Sequence, residues 1–177
     1  MKNLFFILII PFLCNSQVDK LQSIGSLQTY VILCPCKLFK YYEDRKLFYF
    51  CEDAATNIEY HIEEFKHKDG IDIILNTVSQ NIYAKKKSQF DSTIEVDKQK
   101  ALDDYLKVNP NGRNIDFLDG RAIIVNGERE RKIFFSDEQF TVSYEIKVTG
   151  KNIDSIDVFF NKFINSLALK GPNHIVK

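Results

Sequence analysis

The stretch that decides the fold runs from Lys132 to Leu169 and reads KIFFSDEQFTVSYEIKVTGKNIDSIDVFFNKFINSLAL. In its first half, apolar side chains recur at every second residue: Ile133 and Phe135, then Phe140, Val142, Tyr144, Ile146 and Val148. Successive side chains of a β-strand point to opposite faces, so a period of two is typical of a strand with one buried face. The pattern therefore predicts two half-buried strands.

A two-residue loop at Asp137–Glu138 would join these strands into a hairpin. That loop would place Phe135 opposite Phe140 and Ile133 opposite Val142. Both apolar sets would then lie on one face, where cross-strand pairs stabilise a sheet. Pattern and pairing agree, which favours this hairpin.

A second turn signal lies upstream at Asn126–Gly127, whose residue types suit the positive φ angles of a tight hairpin turn. The strand before this turn would cover residues 115–125. We therefore expect a three-stranded antiparallel meander.

After Gly150 the apolar residues change to helical spacing: Ile156, Phe159, Phe160, Phe163, Ile164 and Leu167. The helix would begin near Asp154–Ser155 and end at Gly171–Pro172, with Lys170 in the last turn, where a cation suits the helix dipole. Its apolar side must be buried, and the sheet before it offers the nearest apolar face. Each large apolar side chain buried there contributes roughly 1.5–3 kcal/mol.

The N-terminus has the pattern of an export signal. Lys2 precedes an apolar run from Leu4 to Leu13, which is too short to cross a bilayer and is followed by small residues. We interpret residues 1–16 as a cleaved signal peptide and expect a periplasmic or extracellular protein of the cell envelope. A lipid anchor at Cys14 is the alternative, but residues 11–13 before it fit poorly, because a small residue is expected there.

The rest of the chain is long enough for one domain with its own core. We expect a flexible N-terminal segment at 17–28, a single domain at 29–170 and a tail at 171–177. The 24 basic and 24 acidic residues balance, so the electrostatic signature of nucleic-acid binding is missing. No second apolar stretch of the sequence reaches membrane-spanning length.

The middle of the chain predicts two helices. The first carries Ile71, Ile74, Leu75, Val78 and Ile82 and ends at the lysines 85–87. Residues 90–96 fit either an extended connector or a short strand. Asp97 would cap the second helix, which Asn109–Gly112 would stop. Asp103–Asp104 on that helix and Glu128–Arg131 beyond a turn are interpreted as solvated charge.

Two aromatic segments, Lys37–Tyr42 and Lys46–Cys51, flank Glu43–Asp44 and predict a further hairpin. A two-residue loop there would place Cys36 opposite Cys51. In an oxidising compartment these two would form a disulfide, worth roughly 3 kcal/mol for a loop of about 15 residues. Cys34 would then be a buried free thiol.

The alternative for these cysteines is a soft-metal site for Cu(I) or Zn built from Cys34, Cys36 and Cys51, with His61 as a further ligand. The thiols lack a convincing fourth ligand, and the Cys-x-x-Cys spacing of oxidoreductases is absent from the sequence. The disulfide with one buried thiol is the simpler interpretation.

Glu59, His61 and Glu63 share one side of an alternating segment and could ligate a metal or transfer protons. The simpler interpretation is a hydrated strand face. His67 and His174 lie in loop and tail positions and add no ligand.

The aromatic hairpin offers a candidate binding surface at Tyr41, Tyr42, Phe48 and Phe50. Aromatic side chains supply a large contact area at low entropic cost, so an exposed face would suit a sugar, a lipid or a protein partner. The alternative is that these rings fill the core.

Three short segments resemble the PsbP-like superfamily of small exported proteins: Ile32–Lys37, Ile115–Ala122 with its Asp-Gly-Arg turn, and Phe160–Ser166. The resemblance implies an α/β/α sandwich around an antiparallel sheet and implies no catalytic residues. Cys34, Cys36 and Cys51 and the second middle helix depart from that pattern. The signal also resembles those of Bacteroidetes cell-envelope proteins.

These observations predict an α+β fold, an antiparallel sheet with helices packed on its faces. Gly-x-Ser-x-Gly and phosphate-binding glycine loops are absent from the sequence. We therefore expect a non-enzymatic binding or accessory protein that uses no cofactor and binds an unknown protein or small molecule. The alternative is a small metal-handling protein that uses the three cysteines.

Overall fold

The computed structural model describes residues 19–26, 30–44, 46–67, 83–118, 120–137, 140 and 142–170 of the 177. The predicted signal peptide with Cys14, the predicted first middle helix at 71–82 and the C-terminal tail lie outside these residues.

The described residues form ten strands and two helices. The strands are β1 (Lys20–Ile24), β2 (Tyr30–Cys34), β3 (Phe39–Glu43), β4 (Lys46–Asp53), β5 (Ile58–Lys66), β6 (Gly112–Phe117), β7 (Gly120–Asn126), β8 (Glu130–Ser136), β9 (Val142–Thr149) and β10 (Ala168–Leu169). The helices are α1 (Tyr83–Val108) and α2 (Ile153–Asn165).

Every strand pairing is antiparallel. Seven strands form the main sheet in the order β3-β4-β5-β9-β8-β7-β6, and β1-β2-β10 form a second, three-stranded sheet. The predicted α+β class and antiparallel sheet are confirmed.

The hairpin of β8 and β9 forms, but its predicted register is wrong. Phe135 lies opposite Tyr144 and Ile133 opposite Ile146, so the connection is longer than two residues. Asp137 closes this longer loop, because its N–H donates to the carbonyl oxygen of Val142 and its carboxylate accepts from the N–H of Val142. The shift is an even number of residues, so the residues of β9 keep their predicted faces. Phe140 is the exception, because it lies in the loop with a φ of 55° and stacks on His67.

The strand predicted at 115–125 is in fact two strands, β6 and β7, joined by a tight turn. Leu118 adopts a left-handed conformation with φ of 51°, and Phe117 pairs with Gly120. The meander therefore has four strands rather than three. The turn predicted at Asn126–Gly127 lies two residues further along, at Glu128–Arg129. Asn126 still pairs with Arg131, the N–H of Gly127 donates to the carbonyl of Glu130, and neither Asn126 nor Gly127 has a positive φ.

Helix α2 begins as predicted and ends earlier. The side-chain oxygen of Asn152 accepts from the backbone N–H groups of Asp154 and Ser155, which is the usual N-cap arrangement. The chain leaves the helix at Ser166, because Ala168 and Leu169 pair with β2. Lys170 therefore does not lie in the last helical turn.

Each helix contacts a different face of the main sheet. The inner face carries Ile133, Phe135, Tyr144, Ile146 and Val148, and these pack with Ile156, Phe160, Phe163 and Ile164 of α2 and with Ile24, Ile32 and Cys34 of the second sheet. The predicted burial of the final helix on the sheet is confirmed. On the outer face, Leu102 of α1 packs with Ile123, Val125 and Phe134.

Two expectations about the rest of the chain are wrong. Residues 20–24 of the predicted flexible segment form β1, with Ile24 buried. Residues 90–96, the lysines 85–87 and Asp97 all lie within the continuous helix α1. Residues 83–108 contain neither Gly nor Pro, so no local signal interrupts the helix before Asn109–Pro110, where the predicted end is confirmed.

Candidate functional site

The predicted disulfide joins Cys36 and Cys51, whose Cα atoms lie 5.9 Å apart. The two do not face each other in the strand ladder, because Glu43 pairs with Lys46 and the ladder begins at Phe39 opposite Phe50. The hairpin turn is therefore one residue further along than predicted. Cys36 lies in the linker between β2 and β3 and reaches Cys51 from there.

The side chain of Gln22 makes two hydrogen bonds to the backbone of this linker. The amide nitrogen of Gln22 donates to the carbonyl oxygen of Cys36 at 2.8 Å, and its amide oxygen accepts from the N–H of Leu38 at 2.8 Å. Gln22 belongs to β1, so the second sheet sets the path of the linker beside the main sheet.

Cys34 carries a buried free thiol, as predicted. Its Sγ lies 3.3 Å from the Sγ of Cys51 and 4.0 Å from that of Cys36. Burial raises the pKa of the Cys34 thiol to about 12, because the thiolate would lose its hydration. The three sulfur atoms all lie within 4.8 Å of one another. Three cysteines that sequence reasoning grouped are thus brought together.

His61 does not join this cluster. Cys51 pairs with Tyr60 on the inner face, whereas His61 pairs with Phe50 on the outer face. Neighbouring residues of a strand point to opposite faces, so His61 lies across the sheet from the three sulfurs. The prediction of His61 as their further ligand is wrong.

Glu59, His61 and Glu63 share the outer face, as the alternation predicted. The carboxylate of Glu59 interacts with the ring of His61 at 3.2 Å and accepts from the hydroxyl of Thr149. Both hydrogen bonds lower the pKa of Glu59, and burial lowers the pKa of His61. Glu63 pairs with Lys46 at 2.6 Å. An acidic, ionised Glu59 is a weak base, so the arrangement favours a structural contact over proton transfer.

His67 lies apart from this group. The ring of His67 stacks on Phe140, and its Nε2 lies 2.7 Å from the hydroxyl of Ser143. His174 lies outside the described residues.

The aromatic hairpin divides between core and surface. Tyr49 is buried on the inner face, and Phe48 and Phe50 are half-buried on the outer face. The ring of Tyr41 stacks on Phe48 with centroids 5.2 Å apart. Tyr41 and Tyr42 are 44% and 63% exposed, as is the neighbouring Phe39 at 63%. Sequence reasoning omitted Phe39, although it alternates with Tyr41 on the same strand.

The predicted solvated charges are partly confirmed. Asp103 and Asp104 are exposed on α1. Glu128 and Arg129 line an open groove of about 610 Å³ at the ends of the central strands. The prediction is wrong for Arg131, because its side chain is only 11% exposed and its guanidinium group binds both carboxylate oxygens of Asp157 on α2.

Glu64 is a buried carboxylate that sequence reasoning missed. One of its oxygens accepts from the N–H of Ser26 and the hydroxyl of Tyr144, whereas the other has no hydrogen-bond partner. Extending the alternation of Ile58, Tyr60 and Ile62 by one step would have placed it inside.

Among the described residues, no helix is both long enough and apolar enough to cross a membrane. Comparisons with protein-family models, with curated proteins and with solved structures found no match.

Proposed function

We propose that this chain is an exported, non-enzymatic binding or accessory protein of the cell envelope that takes an extended segment of a partner protein along strand β3. The exposed aromatic edge of the main sheet at β3 carries this proposal. The disulfide supports the exported location, because disulfides persist in oxidising compartments. A PsbP-like α/β/α sandwich is part of the proposal, and the packing of α1 and α2 on opposite faces supports it.

The backbone of β3 has hydrogen-bonding groups directed away from the sheet. Glu43 and Lys46 flank a two-residue turn, so they form a hydrogen-bonded pair, as do Tyr41 and Phe48 two residues along. By this alternation, the N–H and C=O groups of Lys40 and Tyr42 point away from β4, on a side where no strand of the described residues pairs with β3. A partner strand can pair with these groups.

The two edges of the main sheet differ in chemistry. At the opposite edge, β6 exposes Arg113, Asn114 and Asp116, which are the polar and charged residues that natural sheets use to prevent edge pairing. At β3 all five residues are exposed: Lys40 and Glu43 are charged, as at β6, but the other three are the aromatic residues Phe39, Tyr41 and Tyr42. Edge β3 therefore has the composition of a pairing surface.

In strand addition an extended segment of a partner pairs with an edge strand. This mode would use both the outward backbone groups of β3 and its exposed aromatic side chains. In that mode the backbone hydrogen bonds supply affinity, and contacts with alternate side chains supply specificity. Tyr41 already stacks on Phe48, so a partner finds a preformed aromatic surface. We expect the partner segment to carry apolar side chains at alternate positions that contact Phe39 and Tyr41.

The test selects extended peptides from a displayed random library on the immobilised protein and maps one of them by amide hydrogen exchange. We expect new protection at the amides of Lys40 and Tyr42. Replacement of Tyr42 by proline removes an outward N–H without breaking a β3–β4 hydrogen bond, and should abolish binding. Asn114→Pro is the matched control at the other edge, because its N–H also points outward, and it should bind normally.

Three results would contradict the proposal: no selectable peptide, protection elsewhere on the molecule, or equal binding by Tyr42→Pro and the unmodified chain. A monomer–dimer equilibrium that Tyr42→Pro abolishes would instead assign the edge to a second copy of this chain. Analytical ultracentrifugation detects that outcome.

The alternative function is handling of a soft metal by Cys34, Cys36 and Cys51, and the observation that favours it is the grouping of their sulfurs within 4.8 Å. Three thiolates suit Cu(I), and the site would exist only after reduction of the disulfide. The test is anaerobic competition between the reduced protein and a colorimetric Cu(I) chelator. One equivalent bound, and lost in Cys34→Ser, would support this function; stoichiometric return of Cu(I) to the chelator would contradict it.

A further inference from the structure

The three sulfur atoms also lie close enough together for thiol–disulfide exchange, which requires no metal. We propose that Cys34 exchanges with the Cys36–Cys51 disulfide, so that the cluster is an internal thiol–disulfide switch whose second form presents Cys36 as a reactive thiol. This inference is independent of the peptide-binding edge at β3.

The distances make the Sγ of Cys51 the nearer target, but they place Cys34 beside the Cys36–Cys51 bond rather than in line with it, so the exchange requires the side chain of Cys34 to move into line with that bond. The Sγ of Cys34 lies 3.3 Å from that of Cys51 and 4.0 Å from that of Cys36. Burial raises the pKa of the Cys34 thiol, so its thiolate is rare and the exchange is slow. When this thiolate forms, it attacks the Sγ of Cys51, the Cys34–Cys51 bond forms and the Cys36–Cys51 bond breaks. The electron pair leaves on the Sγ of Cys36, which takes up the proton that Cys34 released. The step is neither an oxidation nor a reduction, so it needs no further reactant.

The three cysteines differ in burial, so the exchange changes which thiol other molecules can reach. Cys34 and Cys51 are both in the core, whereas Cys36 is half-buried in the linker before β3. The new Cys34–Cys51 bond would lie within the core. The free thiol would move from a buried strand to a surface linker, where it can react with an electrophile or a disulfide.

Gln22 keeps the linker in place during this change. Its two hydrogen bonds involve the carbonyl of Cys36 and the N–H of Leu38, not the sulfur. The backbone therefore remains beside Cys51 when the side chain of Cys36 is released. Reverse exchange needs only a rotation of that side chain.

The experiment uses the folded, oxidised full chain with EDTA, which removes adventitious metal. The protein is first incubated with N-ethylmaleimide, which labels thiols accessible in the folded state, and is then quenched in acid to stop exchange. It is next unfolded with a heavy isotopic form of the same reagent, which labels the thiols that were free but buried. Finally it is reduced and labelled with iodoacetamide, which marks the cysteines of the disulfide. Tandem mass spectrometry of the peptides that contain Cys34–Pro35–Cys36 and Cys51 assigns the three labels. We expect the native label on Cys36, and iodoacetamide on Cys34 and Cys51.

The variant Cys34→Ser lacks the attacking thiol and should show no native label on Cys36. The variant Cys36→Ser should form a Cys34–Cys51 disulfide, which tests the second pairing without relying on the first variant. For the unmodified chain, native label on Cys34 or Cys51, or label on Cys34 only after unfolding, would overturn the proposal. Native label on Cys36 in Cys34→Ser would also overturn it, as would two free thiols in oxidised, folded Cys36→Ser.

Discussion

The ring of Phe163 meets the ring of Tyr60 edge to face, with their centroids 4.8 Å apart. Phe163 belongs to α2 and Tyr60 to β5 in the main sheet, and both side chains are buried. This contact joins the last helix to a strand about a hundred residues earlier in the chain.

Phe163→Ala should lower the free energy of unfolding by about 3–5 kcal/mol, because it removes buried apolar area and leaves a cavity against Tyr60. Denaturant titration followed by circular dichroism measures the change. Val158→Ala is the control on the same helix, since Val158 is 64% exposed, and it should have little effect. Equal losses in the two variants would contradict the packing described for α2.

Asp157→Ala should destabilise the fold by roughly 1–3 kcal/mol, because it leaves the largely buried guanidinium of Arg131 without its carboxylate. The same titration measures this loss. Asp104→Ala is the control, because Asp104 forms an exposed ion pair with Lys107 and should show no measurable change. A stability of Asp157→Ala equal to that of the unmodified chain would show that the pair contributes little.

Tyr105→Phe should cost roughly 1.5 kcal/mol, since the hydroxyl of Tyr105 donates to the carboxylate of Glu145 at 2.6 Å and this hydrogen bond ties α1 to the outer face. The stacking of the ring on Phe134 should remain. Hydrogen exchange of the α1 amides should accelerate as the helix loosens. Tyr42→Phe, at a 63% exposed position, is the matched control. Comparable exchange of the α1 amides in both variants would show that the hydrogen bond to Glu145 does not hold α1 on the sheet.

Stability should fall as the pH decreases below about 6.5, the ordinary value for histidine. Burial lowers the pKa of His61 in the folded protein, so below that pH the unfolded chain binds a proton more readily than the folded one. The lowered pKa of Glu59 extends the loss into the acidic range. Unfolding titrations at several pH values should give a flatter profile for His61→Gln between pH 7 and 5; parallel profiles would contradict this assignment.

The periodicity of the sequence was sufficient for the faces of the strands but not for their register. Ile133 and Phe135 lie on the predicted face, yet Phe135 pairs with Tyr144 rather than Phe140. Alternation is a property of the local backbone, whereas register depends on loop length, and Asp137 stabilises a longer loop. The turn between β3 and β4 has the predicted length of two residues but begins one residue later, at Asp44, which has a φ of 46°.

The candidate sites were likewise predicted only in part. The disulfide of Cys36 and Cys51 was predicted correctly, although the register that suggested it was off by one residue in the turn and Cys36 lies outside the ladder. The contact of Cys34 with Cys51 was not predictable as a distance, because it requires the second sheet to pack on the first. Arg131 looked like one more charge in a charged run, since nothing near it in the sequence indicates that Asp157 would reach it.

By itself the sequence determined which strand side chains face the core and where the last helix begins, because these follow from spacing along a short stretch of backbone. Only the tertiary structure decided the strand register, the extent of α1, the position of His61 across the sheet from the cysteines, and the free aromatic edge at β3. Each of these depends on which distant segments pack together, and that is settled by the burial of the whole core rather than by any local pattern.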